Sequence, residues 1–165
     1  MEQIAAVLER ERELLDVLLF KLIETRLILE SGELRFLSRA TREVERARTR
    51  TREVDLVRAT TVARHRPGAT LRTLATQAPE PWPGILRDHH GLLAALVAEI
   101  EVTAHRNSGE ARAGLEALQL VRVAVPPKRR DGDAELAQLA QGAALETVLG
   151  TASRLRMPGL LDFLR

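Results

Sequence analysis

The sequence predicts an all-α protein: an elongated antiparallel helical bundle or coiled coil of three long helices, with a short connecting helix and a C-terminal amphipathic helix. Apolar side chains recur at alternating steps of three and four, a spacing that keeps one face of a helix against a neighbour. Hydrophobic residues make up 45% of the 165 residues, yet only four are aromatic, so the core must be largely aliphatic. Short turns that contain glycine or proline separate the long segments in which this spacing recurs.

The first helix is predicted from about Glu2 to Glu30. Its apolar stripe is interrupted only by Glu11 and Thr25, and it consists of Ile4, Leu8, Leu15, Leu18, Leu22 and Leu29. Ser31-Gly32 ends the helix, because glycine accepts the left-handed conformation that closes many helices. A loop this short between two long helices predicts an antiparallel hairpin.

The second helix is predicted from Glu33 to about His65, and it is rich in arginine. Ten arginines lie between Arg35 and Arg66, with four carboxylates among them. We interpret this arginine stripe as a solvated flank of a coiled coil. An acidic-partner surface and a nucleic-acid surface are the alternatives, although the carboxylates would repel phosphate and no RNA-binding motif accompanies the stripe.

Pro67-Gly68 ends the second helix, and Thr70 is the expected N-cap of a short helix from Leu71 to Gln77. The three prolines that follow, at positions 79, 81 and 83, are expected to hold the backbone extended. We expect Trp82, which lies among them, to pack this turn onto the hairpin, and contact with a partner is the alternative.

The third long helix is predicted from about Ile85 to Val125, and it carries the strongest pattern in the chain. We call its stripe the seam, formed by Leu93, Val97, Ile100, Ala104, Asn107, Ala111, Gly114 and Leu118. Asn107 is the one strongly polar residue of the seam. Its amide either faces solvent or fixes the register of a partner helix through a buried hydrogen bond.

The chain after the third helix divides into a linker and a tail. We predict a helical bundle over residues 1–125, a linker over 126–133 and a C-terminal amphipathic helix within 134–165. Asp133 is the expected N-cap of a helix ending near Arg156, and Pro158-Gly159 breaks the chain before its apolar end. The apolar tail positions are Leu145, Val148, Leu149, Ala152, Leu155, Leu160, Leu161, Phe163 and Leu164.

No pattern of catalytic chemistry occurs in the sequence. Cysteine is absent, His89 and His90 are adjacent and so cannot chelate one metal together on a helix, and no phosphate loop, serine nucleophile elbow or dinucleotide fingerprint occurs. We therefore expect no enzyme activity, no catalytic residue, no metal and no cofactor. Neither a signal peptide nor a transmembrane segment is expected, which favours a cytoplasmic protein without membrane insertion.

Several segments resemble the FlgN family of flagellar export chaperones over residues 1 to about 122. They are the leucine-rich opening ERELLDVLLFKLIETRLIL, the helix break SGELRFLSRATREVE, the short ATLRTLA and the late LLAALVAEIEVTAHRNSGEARAGLEAL. In the last of these segments, Asn107 matches an asparagine that the family usually has. The family often has a second asparagine soon after it, where this chain has Ser108-Gly109. The end of the chain, QGAALETVLGTASRLRMPGLLDFLR, resembles the carboxyl end of hook–filament junction proteins, which are clients of this family.

The resemblance implies a cytoplasmic chaperone that binds the C-terminal helices of hook-associated proteins and delivers them unpolymerised to the flagellar export apparatus. The seam would be the groove, and the tail would be either the chaperone's own or a joined client segment. The main alternative is a structural coiled-coil protein that self-associates through the seam or acts as an adaptor. The third is an arginine-rich nucleic-acid-binding protein, although we expect no nucleic-acid partner.

Overall fold

The computed structural model describes residues 1–124 and 132–165, and it is all-α. The described residues contain no strand. The helices are α1 (Glu2–Ser31), α2 (Leu37–His65), α3 (Leu71–Gln77), α4 (Trp82–Ala124), α5 (Gly132–Ser153) and α6 (Pro158–Leu164). The predicted fold class is therefore confirmed. None of the described helices carries an apolar stretch that could cross a membrane.

The first turn of the hairpin lies where the sequence placed it. Gly32 has a φ of +72°, the left-handed conformation expected of a helix-ending glycine. A 3₁₀ turn over Leu34–Phe36 follows, so the second α-helix begins at Leu37 rather than at Glu33. The predicted cap of α3 is also confirmed, because the Thr70 hydroxyl accepts a hydrogen bond from the Thr73 N–H at 3.2 Å.

Two predictions about proline were wrong. Helix α4 begins at Trp82, three residues before the expected start, because proline is tolerated in the first turn of a helix, where its missing N–H would have no partner. Trp82 therefore starts a helix instead of sitting in an extended turn. Pro158 likewise begins helix α6, where its fixed φ suits the first helical position.

The tail consists of two helices, where the sequence predicted one. Helix α5 ends at Ser153 rather than near Arg156, and Asp133 lies within its first turn instead of preceding it as an N-cap. A carboxylate in that turn still interacts favourably with the helix dipole. Val125 and residues 126–131 of the predicted linker lie outside the described residues.

The chain forms two compact units, and each takes its residues from several parts of the sequence. We call them the first unit (Met1–Phe20, Arg46–Glu101 and Arg156–Arg165) and the second unit (Lys21–Glu45 and Val102–Leu155). The large side chains that are fully buried in the first unit are Leu8, Glu11, Leu15, Leu18, Leu71, Leu86, Leu93, Ile100 and Leu160. Their counterparts in the second unit are Leu37, Val44 and Leu145.

Within the second unit, contacts fix the directions of the helices. Lys21 of α1 lies 2.7 Å from Glu43 of α2, whereas Leu29, nearer the turn, packs in one cluster with Leu37. The two helices are therefore antiparallel. Asn107 of α4 donates a hydrogen bond to the Leu22 carbonyl, so α4 also packs against α1.

Two glycines allow a direct test of the hairpin turn. A Cβ added at Gly32 or at Gly109 meets no atom within 4 Å, but only Gly32 has a positive φ. We expect Gly32→Ala to lower the free energy of unfolding by about 1 kcal/mol, because the left-handed conformation penalises a side chain. Gly109→Ala, in the interior of α4, should raise it by up to ~1 kcal/mol through helix propensity. Urea unfolding measures both, and equal shifts of the same sign would contradict the assignment of the turn.

Candidate functional site

The seam is buried over most of its length. The six residues from Leu93 to Ala111 are at most 6% exposed, Gly114 and Leu118 are half-buried, and the next residue of the stripe, Val121, is 45% exposed. The three-four spacing therefore identified the buried face of α4. The stripe opens to solvent only in the last turns of that helix.

In the second unit, tail helix α5 covers the part of the seam around Ala111 and Gly114. Ala111 shares a buried cluster with Leu37, Ala144, Leu145 and Val148. Partly buried side chains around this cluster are Ile28, Leu29, Leu34, Leu115, Leu118 and Leu149. Seam residues and tail residues thus form one hydrophobic core.

The approach of α5 depends on the absence of a side chain at Gly114. A Cβ added there would lie 3.1 Å from Leu145 Cδ1, closer than ordinary carbon contacts. Small residues let helix backbones approach each other, and interhelical distance depends on the side chains at the contact. Gly114 therefore forms the recess that receives the Leu145 side chain.

Asn107 is buried, so the interpretation that its amide faces solvent is wrong. Its side chain is 1% exposed, and its Nδ2 donates a hydrogen bond to the Leu22 carbonyl at 2.9 Å. That carbonyl belongs to a helix backbone, so the amide ties one turn of α4 to one turn of α1. The Asn107 Oδ1 has no hydrogen-bond partner.

The first unit holds the other tail helix, α6, on a charged surface. The Arg58 guanidinium lies 4.4 Å from the centre of the Phe163 ring, within the range of a cation–π interaction. Its Nε lies 2.9 Å from Glu11 Oε2, and its Nη2 contacts Asp55 Oδ1. The interpretation of the arginine stripe as wholly solvated is wrong for Arg58, which is only 2% exposed.

Further contacts join α6 to the first unit. The His90 Nε2 lies 2.8 Å from the carbonyl oxygen of Leu164, and α6 packs against α3. Asp55 also borders the start of α6, since a Cβ added at Gly159 would lie 2.9 Å from Asp55 Oδ2. Glycine at this position therefore lets the carboxylate come close to the helix.

Glu11 is an acid whose titration is set by this environment. Burial raises the pKa of its carboxyl to about 7, against the opposing effects of the charge and the hydrogen bond of Arg58. The Glu11 side chain is fully buried, as is almost all of Arg58. Breaking such a buried pair by removing one partner leaves an uncompensated charge, which is strongly destabilising.

The predicted tail positions divide by burial. Leu145, Val148, Leu155, Leu160, Phe163 and Leu164 are buried, Leu149 and Ala152 are half-buried, and Leu161 is 37% exposed. Four residues that surround α6 were not predicted to do so from the sequence: Glu11, Asp55, Arg58 and His90. Glu11 offered one signal, because an acid at a stripe position must find a buried partner.

Groups of three or more histidines and carboxylates that could hold a metal ion are absent from the described part of the chain. Comparisons of the chain with protein-family models, with curated proteins and with solved structures find no match. The family resemblance therefore stays a prediction.

The recess at Gly114 can be filled by substitution. We expect Gly114→Leu to displace the Leu145 side chain and loosen α5, because a packed core does not absorb several added methyl groups. Amide hydrogen exchange of α5 should accelerate by roughly tenfold or more, which corresponds to an overpacking cost of 1–3 kcal/mol. Gly109→Leu, on the same helix but facing open space, is the matched control and should leave α5 protected.

Glu11 should make stability depend on pH near neutrality. The native state holds a proton on Glu11 that the unfolded chain, with an ordinary pKa of 4.5, has already released. The contribution of this group is therefore largest at acidic pH and is lost as pH rises through about 7. Urea unfolding from about pH 5 to pH 8 should show this fall in the wild type and not in Glu11→Gln.

Glu13→Gln is the control for this experiment, because Glu13 lies half-exposed on the same helix and pairs with Arg10 at the surface. Its pH profile should match that of the wild type. A wild-type profile that Glu11→Gln reproduces would contradict the assignment to Glu11.

Proposed function

We propose that this chain is a non-enzymatic, cytoplasmic chaperone of the FlgN type. It binds the C-terminal helices of hook-associated proteins through the seam, keeps them unpolymerised and delivers them to the flagellar export apparatus. The observation that carries the proposal is the packing of α5 on Ala111 and Gly114, because the α5 residues that make this contact, from Ala144 to Val148, lie in the segment that resembles a client. The chain's own tail then stands where a client helix would bind.

The contacts of α5 support a helix-in-groove mode of recognition. An amphipathic helix presents its apolar face, Leu145 and Val148, to a surface whose small residues admit close approach. Such a client segment is disordered alone and gains its helix on binding, which lowers the affinity obtained per unit of buried surface. Because the tail is covalently attached, it competes at an effective concentration on the order of mM.

The experiment that tests the proposal loosens the tail while leaving the seam intact. Leu145→Asp places a carboxylate in the buried cluster and should release α5, since an unpaired buried charge is costly. The probe is a fluorescent synthetic peptide spanning the C-terminal helix of a hook–filament junction protein, titrated into the full chain. We expect Leu145→Asp to bind this peptide roughly tenfold or more tightly than the wild type, because a larger fraction of its grooves is open.

Leu136→Asp is the matched control, because Leu136 lies on the same helix and is 66% exposed. It should bind the peptide as the wild type does. Equal or weaker binding by Leu145→Asp would show that the tail does not compete for the client site. Absence of peptide binding to every variant would refute the chaperone proposal itself.

Self-association is the second candidate, and exposed apolar residues of the second unit favour it. The side chains at the end of α4 and the start of α5 that are more than two-fifths exposed are Leu120, Val121, Val123, Leu136 and Leu139. Exposed apolar patches of this kind often mark protein interfaces. Light scattering distinguishes the candidates, because a coiled-coil oligomer keeps its mass when the client peptide is added, whereas a chaperone binds it.

A further inference from the structure

A small cavity with a few polar side chains in its wall lies between α5 and the seam in the second unit. It is lined by Leu22, Thr25, Thr41, Val44, Ala104, Asn107, Val148, Thr151 and Ala152, and its free volume is about 10 Å³. Two of its polar atoms, Asn107 Oδ1 and Thr151 Oγ1, are buried without a hydrogen-bond partner. An unpartnered polar atom in a core costs as much free energy as a lost hydrogen bond or more.

The hydroxyls of the other two threonines in the cavity wall already donate hydrogen bonds. Thr25 donates to the Lys21 carbonyl at 2.9 Å, and Thr41 donates to the Leu37 carbonyl at 3.0 Å. These are the bonds that a threonine normally makes to the carbonyl four residues earlier in a helix. The Thr151 hydroxyl makes no such bond, so it stands apart from the threonines around it.

The Asn107 side chain lacks a hydrogen-bond donor for its amide oxygen. An amide oxygen only accepts hydrogen bonds, so Asn107 Oδ1 requires a donor. The hydroxyls of α1 and α2 are committed to their own carbonyls, and the remaining polar residue of the cavity wall, on the tail helix, is Thr151. A threonine hydroxyl is short, whereas an asparagine side chain has nearly the same volume and carries an NH₂ group one bond further out.

We propose that position 151 determines the specificity of the groove: the seam best fits an amphipathic helix that presents a side-chain amide at this position, donating to Asn107 Oδ1. The inference rests on the proposed function, in which the tail and a client exchange on the same seam. The threonine of the tail leaves the acceptor unsatisfied. It therefore makes the tail a weaker occupant than a helix with asparagine at position 151.

Three substitutions in the full chain test the inference by hydrogen exchange of the α5 amides. Thr151→Asn should slow their exchange by about fivefold, the effect of one net hydrogen bond. Thr151→Val removes the cost of the unpartnered hydroxyl but leaves Asn107 Oδ1 without a donor, so it should slow the exchange less than Thr151→Asn does. Thr147→Asn, at an exposed site of the same helix, controls for the helix propensity of asparagine and should leave the exchange rate unchanged.

A double substitution tests whether the slower exchange in Thr151→Asn depends on Asn107 as the hydrogen-bond acceptor. Thr151→Asn should lose its advantage when Asn107 is replaced by leucine, and the two effects should therefore be non-additive. A gain that persists beside Asn107→Leu, or no gain in Thr151→Asn, overturns the inference. Thr151→Asn against Thr151→Val in the natural background decides the question even where Asn107→Leu fails to fold.

Peptides separate this inference from the proposed function. The probes are two synthetic peptides spanning Gly132–Arg165 with threonine or asparagine at position 151, added to the full chain. We expect the asparagine peptide to bind about fivefold more tightly. Equal binding refutes the specificity role and leaves the groove intact. If neither peptide binds but Thr151→Asn still slows exchange of α5, the exchangeable groove fails while the hydrogen bond to Asn107 stands.

Discussion

Close packing along the seam is the constraint on which the second unit depends. The recess at Gly114 admits Leu145, and the small side chain of Ala111 lets the surrounding cluster of leucines and valines close over it. Packed interiors tolerate little change of volume, so this contact fixes where α5 can lie along α4. The same contact makes the seam a groove, since residues that leave a recess for one helix leave it for any helix with a suitable apolar side chain. In the proposed function, burial of the seam by the tail and recognition of a client would therefore use a single set of contacts.

Polar groups inside each unit fix the positions of the packed helices along one another. In the second unit, Asn107 ties α4 to the backbone of α1, and a hydrogen bond of fixed length tolerates no slip by a turn. In the first unit, Arg58 contacts the carboxyl groups of Glu11 and Asp55 and the ring of Phe163, so α6 is held at a cation whose position is fixed by two acids. Buried ion pairs contribute little net stability compared with apolar packing. Their effect here is to specify which surface α6 covers.

The sequence predicted those features of the fold that depend on neighbouring residues along the chain. Periodicity identified the long helices and the buried face of α4, and the conformational preference of glycine identified the turn at Gly32. Features that depend on residues far apart in sequence were missed. Glu11 and Arg58 are 47 residues apart, and no local pattern pairs them. Proline also misled the prediction twice, because it is compatible with both an extended segment and the first turn of a helix. Within the site, the seam and the apolar tail positions were predictable from spacing, whereas the role of Asn107 required its buried partner at Leu22.

In the proposed function, the division of the tail into two helices would make its displacement by a client a stepwise process. Helix α5 belongs to the second unit and α6 to the first, and each is held by contacts within its own unit. Release of α5 exposes the apolar cluster around Ala111, but it does not break the contact between Phe163 and Arg58. A tail anchored at one site stays at high effective concentration for the other, so a competing helix must bind the seam more tightly than α5 does. In the proposed mechanism, the amide oxygen of Asn107 would supply such a difference, because it is unsatisfied beside the tail and would accept a hydrogen bond from an occupant that carries a donor.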